Sequence, residues 1–415
     1  MGQIGTFCVV VMGVLSATLL VAVQAATAPT DDNEICADAS GDVAIAACTR
    51  AIASDRYRGR DLAKLYSDRA FEYGNKGELD RAISDYIDAI RIDPKYAHAY
   101  VGRGLVWHAK GDPDRAIADF NEAIRLDPQQ VLAYTYRGNT WYENGDPDRA
   151  IADFNEAIRL DPKRAPAYNN RGLARRDKGE LDGAIADYNE AIRLDPKYPD
   201  AYNSRGVAWH DKGELDRAIA DFTEAIRLAP KYALAYNNRG NAWREKGDLD
   251  RAIADCNEAI RINPKYHGAL LNRGLTYLYS GAPAKALADA NRASQLDPND
   301  AYNALWVDIV GQRNGLATRL PKTIAAIDMT RWPAPVLRLF LGQSTPQAVL
   351  AAADHPNAEK KKVQVCEANF YSGIVALRQG AKNEAARLYR LAAEGCARSS
   401  AESYAANAEL KQIRQ

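Results

Sequence analysis

An all-α solenoid of stacked helix–turn–helix repeats is the fold this sequence predicts, and three observations carry the prediction. Prolines recur at Pro94, Pro128, Pro162, Pro196, Pro230, Pro264 and Pro298, each 34 residues after the last, a period that marks helical repeat arrays. Between them, apolar and small residues are spaced three and four apart, as one helical face requires. Of the 415 residues, 47% are hydrophobic and 26% charged; those values belong to an ordinary folded chain and exclude a disordered, collagenous or multi-pass membrane protein. The 54 Lys and Arg balance 54 Asp and Glu, so there is no general pull toward phosphate backbones and nucleic acid is not expected as a partner.

The elements follow in order. Residues 1–30 carry no charged side chain, and the apolar run Phe7 to Val23 ends at small residues around Ala25. We read 1–25 as a secretory signal, with an uncleaved inner-membrane anchor over 4–28 as the alternative; a membrane contact is expected only through such an anchor. Residues 26–62 form an N-terminal cap, in which Asp42 to Ile52 aligns with the second helix of a repeat and no proper first helix precedes it. Seven units fill 63–300. In one of them, helix A is expected from about Ala99 to Ala109 with Tyr100, Gly104 and Trp107 on one face, and Gly111 with Asp112 breaks it. Helix B starts at Asp112 or Pro113, because an acidic first turn suits the helix dipole and Pro is tolerated there. It buries Ala116, Ile117, Phe120, Ala123 and Ile124 and ends at Asp127-Pro128, since Pro disfavours a helical residue before it. Asp112, Asp114, Asp146 and Asp148 read as helix caps, because the remaining ligands of a calcium loop are missing. Residues 301–362 are an irregular helical segment: one helix at Ala301 to Gln312, then two short helices across Trp332 to Leu350. A terminal repeat-like hairpin at 363–398 and a helix or tail at 399–415 complete the chain.

One unit reads Ala133-Tyr134, Arg137-Gly138, Trp141, Gly145, Asp148, Ala150-Ile151, Phe154, Ala157-Ile158, Pro162. This succession of aromatic, Gly, aromatic, Ala, Phe, Ala and Pro resembles the tetratricopeptide repeat (TPR) family. The resemblance implies a right-handed superhelical solenoid with helical caps, and protein or peptide binding rather than catalysis. Trp332 to Leu350, followed by Cys366-Glu367-Ala368-Asn369-Phe370-Tyr371-Ser372-Gly373, resembles the C-terminal half of the NlpI-type periplasmic TPR lipoproteins. That second resemblance implies a homodimeric adaptor whose partners are cell-envelope enzymes, and we carry over the adaptor role without a particular partner.

Candidate functional residues fall into three sets. Asn139, Tyr142, Asn169, Arg176, Asn203, His210, Asn237, Asn241 and Arg244 fall on the concave side of successive A helices. Such a polar lining suits an extended peptide that needs hydrogen-bond partners; a merely solvated face is the alternative. The same slots turn apolar at Leu271, Leu275, Leu278, Tyr279, Leu305 and Ile309, where the helices of Trp332 to Leu350 are expected to fold over them. The second set is cysteine. Cys366 opens the last helix A and Cys396 closes its helix B, ends that an antiparallel hairpin brings together, so a disulfide is expected there and a second at Cys36 and Cys48, with free thiols as the alternative. Cys256 takes a core slot filled elsewhere by Phe or Tyr and is expected to be a buried thiol. The third set pairs an Arg of helix A with an Asp sixteen residues on: Arg69/Asp85, Arg103/Asp119, Arg137/Asp153, Arg171/Asp187, Arg205/Asp221, Arg239/Asp255 and Arg273/Asp289. A charge with so regular a partner reads as a structural ladder.

No two of the five histidines are three or four apart, and no phosphate-binding loop or nucleophile elbow is present, so no catalytic, metal or cofactor residue is expected. The function expected is a non-catalytic binding scaffold, periplasmic or secreted. The alternatives are a cytosolic co-chaperone-like TPR protein and an enzyme whose active part lies in 301–415. If the ladder is structural, Arg171→Leu and Asp187→Leu each destabilise the protein more than the two together, because either alone strands a charge. A double-mutant cycle in denaturant reads this, and additive losses refute it.

Overall fold

The computed structural model describes residues 31–398 and 400–413; the expected signal segment lies outside them. In the described part of the chain there is no strand, and no helix is long and apolar enough to cross a membrane. The helices are α1 (Asp32–Asp38), α2 (Gly41–Ala53), α3 (Gly59–Asn75), α4 (Leu79–Ile92), α5 (Ala97–Ala109), α6 (Pro113–Leu126), α7 (Val131–Glu143), α8 (Pro147–Leu160) and α9 (Ala165–Asp177). They continue as α10 (Leu181–Leu194), α11 (Pro199–Asp211), α12 (Leu215–Leu228), α13 (Ala233–Lys246), α14 (Leu249–Ile262), α15 (His267–Tyr279), α16 (Pro283–Leu296) and α17 (Ala301–Arg313). The last are α18 (Leu320–Thr323), α19 (Ala334–Phe340), α20 (Pro346–Ala352), α21 (Ala358–Arg378), α22 (Lys382–Gly395) and α23 (Ala401–Ile413). They form two units, residues 31–174 and 175–413, with the boundary inside α9.

Within each unit helix A packs on its own helix B, and helix B on the next helix A. Two local constraints make this pairing close. Between α5 and α6, Gly111 has φ 76°, a left-handed conformation that only Gly adopts without strain. At the crossing of α7 and α8, a Cβ on Gly138 would stand 2.8 Å from Cε1 of Phe154, so the missing methyl lets the ring of one helix lie on the backbone of the other. Phe154 and its counterparts Phe120, Tyr188 and Phe222 are fully buried, each among fully buried alanines of its own helix B. Helix B starts are fixed by side chains: Asp112, Asp146 and Asp248 each accept the backbone N–H of the residue three positions on.

Both ends depart from the sequence-based expectation in detail. The N-terminal cap does have a first helix, the seven-residue α1, which packs on α2 and is joined to it by the disulfide Cys36–Cys48; it is too short to show a helical period. Cys366 does not open its helix. α21 begins at Ala358, where Asn357 caps the backbone N–H of Lys360, and Cys366 lies two turns inside, bonded to Cys396 just past α22. Cys256 is a buried free thiol, raised by burial to about 12. Leu275, Leu278, Leu305 and Ile309 belong to the apolar core that also holds Val336, Leu337 and Leu339 of α19 and Val349 of α20; α19 packs on α17, while Tyr279 is met by Tyr404 of α23 and not by the Trp332 to Leu350 helices.

Gly138→Ala forces the Phe154 ring out of its rotamer and is expected to cost about 1–3 kcal/mol. A lowered urea midpoint with an unchanged slope reads this.

Candidate protein-binding surface

Arg69, Arg137, Arg205, Arg239 and Arg273, each on a helix A, make a three-way connection. Arg137 forks onto Asp153 of α8, with Nε to Oδ2 at 2.8 Å and Nη2 to Oδ1 at 2.6 Å, while Nη1 donates to Asn121 Oδ1 of α6 at 2.5 Å. One guanidinium thus ties helix A to its own helix B and to the helix B before it. Arg205 repeats this with Asp221 and Asn189, and Arg273 with Asp289 and Asn257. Arg239 uses Asp255 and the hydroxyl of Thr223, and Arg69 uses Asp85 and the hydroxyl of Thr49 in the cap. Arg103 forks onto Asp119 at 2.9 and 2.7 Å. Arg171 donates to Asn155 in the first unit, and Asp187 accepts from Arg175 in the second. The carboxylates are buried and the guanidiniums partly so; the hydrogen bond donated to the Asp carboxylate raises Arg103, Arg205 and Arg239 above the ordinary arginine value. The sequence shows the Asp arm; the third arm escaped it because its slot is not uniform: sixteen residues before the Arg it holds Asn121, Asn155, Asn189, Thr223 and Asn257 but Ile87 before Arg103, and Arg69 reaches Thr49 twenty residues back.

Six of the nine residues assigned to an open groove are turned inward: Asn169, Asn203, His210, Asn237, Asn241 and Arg244 are all buried. Asn203, Asn237 and His210 face the next A helix instead of solvent, and Arg244 is covered by Tyr404 of α23. Asn238 Nδ2 donates to Asn203 Oδ1 at 3.0 Å, and Asn272 Nδ2 to Asn237 Oδ1 at 2.8 Å. In the first unit Asn170 Nδ2 donates to Asn139 Oδ1 at 2.9 Å. Asn139, Asn203 and Asn237 therefore form a second inter-repeat ladder, while the side-chain oxygens of Asn169 and Asn241 are buried without a hydrogen-bond partner. His210 is spent the same way on Glu245 at 2.7 Å, a contact that His108 and Glu143 repeat at 2.9 Å in the first unit. Arg176 and Tyr142 remain half-buried.

What stays open in the first unit is a strip at one helix A position, repeated every 34 residues: Phe71, Leu105 and Asn139. Phe71 is 42% exposed, and Leu105 and Asn139 are half-buried with His108 and Tyr142 beside them. In the second unit the corresponding face is occupied. α23 lies on it, the Arg244 guanidinium 4.1 Å from the Tyr404 ring centroid and the Tyr279 hydroxyl donating to Glu409 Oε1 at 2.7 Å. Sequence reasoning missed this because α23 lacks the 34-residue period. Among the described residues no cluster of His, Cys, Asp and Glu could hold a metal ion. Rings, aliphatic groups and amides on rigid helices are the means of recognising another polypeptide. Because Asn237 is buried and bonded, Asn237→Leu leaves the Asn272 amide unpaired. It is expected to destabilise by about 1–3 kcal/mol, read as a loss of melting temperature.

Models of the tetratricopeptide repeat match residues 68–131 and 211–267, and 131–164, and a TPR repeat model matches 172–212. No curated protein matches the chain. Among solved structures, one chain of the APC/C hetero-tetramer Cut9–Hcn1 is 20% identical with a TM-score of 0.52, over 64% of this chain and 52% of that one. The chain thus spans about half the length of that relative. A tetratricopeptide repeat protein from Parabacteroides merdae ATCC 43184 is 18% identical with a TM-score of 0.51, over 60% of this chain and 98% of that one. At such identities the likeness speaks for the fold alone. Repeat models and helix geometry agree: the chain belongs to the tetratricopeptide repeat family, an all-α solenoid that serves as a scaffold for protein–protein contacts.

Proposed function

We propose that this protein is an exported, non-catalytic adaptor of the cell envelope that holds a protein or peptide partner on the concave face of its repeats. The observation that carries the reading is the pair of disulfides, Cys36–Cys48 and Cys366–Cys396, at the two ends of the described chain. Such bonds persist in oxidising compartments and are rare where thiols are kept reduced. The apolar segment Phe7 to Val23 supports it as an export signal. So does the resemblance of residues 332–373 to the NlpI-type adaptors, which adds a homodimer and cell-wall enzymes as partners. The exposed Phe71 with Leu105 and Asn139 is the strip on which a partner rests in the first unit: an aromatic ring and an aliphatic side chain in a polar rim are the usual anchor of an interface.

Intact mass from the native host, with free thiols alkylated in denaturant before reduction, tests the setting. A chain starting at Ala26 with Cys256 as its single alkylated thiol is expected. An uncut chain with six alkylated thiols would remove export and disulfides together. Phe71→Asp is expected to reduce capture of an envelope partner by tenfold or more without changing the melting temperature, since the ring is already exposed.

A further inference from the structure

Arg244 is the most unusual charge in the second unit. It is 4% exposed, and burial pulls its guanidinium below the ordinary arginine value. Among the described residues no carboxylate lies within ion-pair reach of it. Its Nη1 reaches the carbonyl and side-chain oxygens of Asn272 at 3.2 Å, and Nε has no partner. What covers it is Tyr404 of α23. A desolvated cation kept under an aromatic ring is how a protein receives a ligand's π face.

The rest of the contact has the same character. Glu245, Tyr279 and Arg313 occupy one concave position of α13, α15 and α17, at intervals of 34 residues. All three are engaged by the chain's own C-terminal segment. Arg398 lies 3.7 Å from Glu245, the ring of Tyr404 meets that of Tyr279 edge-on at 5.8 Å, and Glu409 takes the Tyr279 hydroxyl and an ion pair from Arg313. Arg313 Nη1 also donates to Gln412 Oε1 at 3.1 Å. So α23 is held from the positions that in the first unit, at His108, Tyr142 and Glu143, face the open strip. Two features make it exchangeable. On the concave side its contact is charged and aromatic, Tyr404 on Arg244 and Glu409 with Tyr279 and Arg313, while its apolar side, Ala405 and Ala406, is buried in the core shared with α21 and α22; buried ion pairs return little net stability after desolvation. The last hairpin is closed by Cys366–Cys396 ahead of α23, so α21 and α22 stay joined when α23 leaves.

We propose that the concave face of α13, α15 and α17 is a helix-binding groove with α23 as its resident stand-in, and that the partner displacing it is an amphipathic helix carrying an aromatic residue and, five positions on, a carboxylate, received by Arg244, Tyr279 and Arg313. This deepens the adaptor reading and rests on it.

The test uses the full chain and a fluorescent peptide of residues 400–413. Tyr404→Ala with Glu409→Ala weakens the resident helix and leaves the groove intact, so this variant is expected to bind the peptide at least tenfold more tightly than wild type. Adding Arg244→Ala abolishes the gain. Equal binding by wild type and the double variant, or a gain that survives Arg244→Ala, overturns the proposal. Should the double variant fail to fold, hydrogen exchange of the wild-type chain decides. Exchange of α23 amides at least tenfold faster than those of α21 supports displacement, and equal protection refutes it. A concentration-dependent wild-type dimer abolished by the same two substitutions would assign the groove to the α23 of a second copy and overturn the partner assignment. Capture of an envelope partner by wild-type protein separates the two levels: capture without peptide binding sinks this inference alone, and loss of both sinks the adaptor reading as well.

Discussion

The guanidinium of helix A is the interaction on which the other contacts depend. The apolar surface of one repeat is small: an aromatic ring, a few alanines and an isoleucine on helix B. Such a layer gives cohesion with little direction, since apolar burial is roughly proportional to area and indifferent to angle. The Arg supplies direction. A planar fork that satisfies both oxygens of Asp153 while its third nitrogen reaches Asn121 is possible at only one mutual setting of three helices. The close approach at Gly138, the amide pairs at Asn203 and Asn237, and the histidine–glutamate pairs all presuppose that setting.

The ladder is also a constraint. Each Asp is buried beside its Arg, so neither can change alone without stranding a charge, whereas the pair as a unit contributes modest net stability. Its role is register more than strength. The same trade recurs where α23 meets α13, α15 and α17: on that side charged and aromatic groups define where the helix lies.

Much of the architecture was legible in the sequence because the repeat multiplies weak signals. The Pro period placed the helix B ends, and the fixed offset of Arg and Asp revealed a pairing that one repeat would not. The groove was misread for a physical reason. A polar residue on the concave side of an A helix looks the same in sequence whether it meets water or the next repeat, and Asn203, Asn237 and His210 meet the next repeat. Arg244 and Tyr404 lie 160 positions apart with no periodic relation, so nothing local in the sequence connects them. Phe71 carries no periodic mark in the sequence that separates it from a core aromatic, yet it is exposed.

The Asn–Arg–Asp connection has a consequence for how such a chain changes length. From Arg137 onward its members stand sixteen residues before and after the Arg, so the whole connection spans less than one period of 34. Within that stretch, excising or duplicating one period between equivalent positions recreates the connections across the new junction, with the closed ends untouched. Repeat number is therefore a nearly neutral variable of this architecture. Evolution or design can lengthen the binding face by whole units without re-solving the packing.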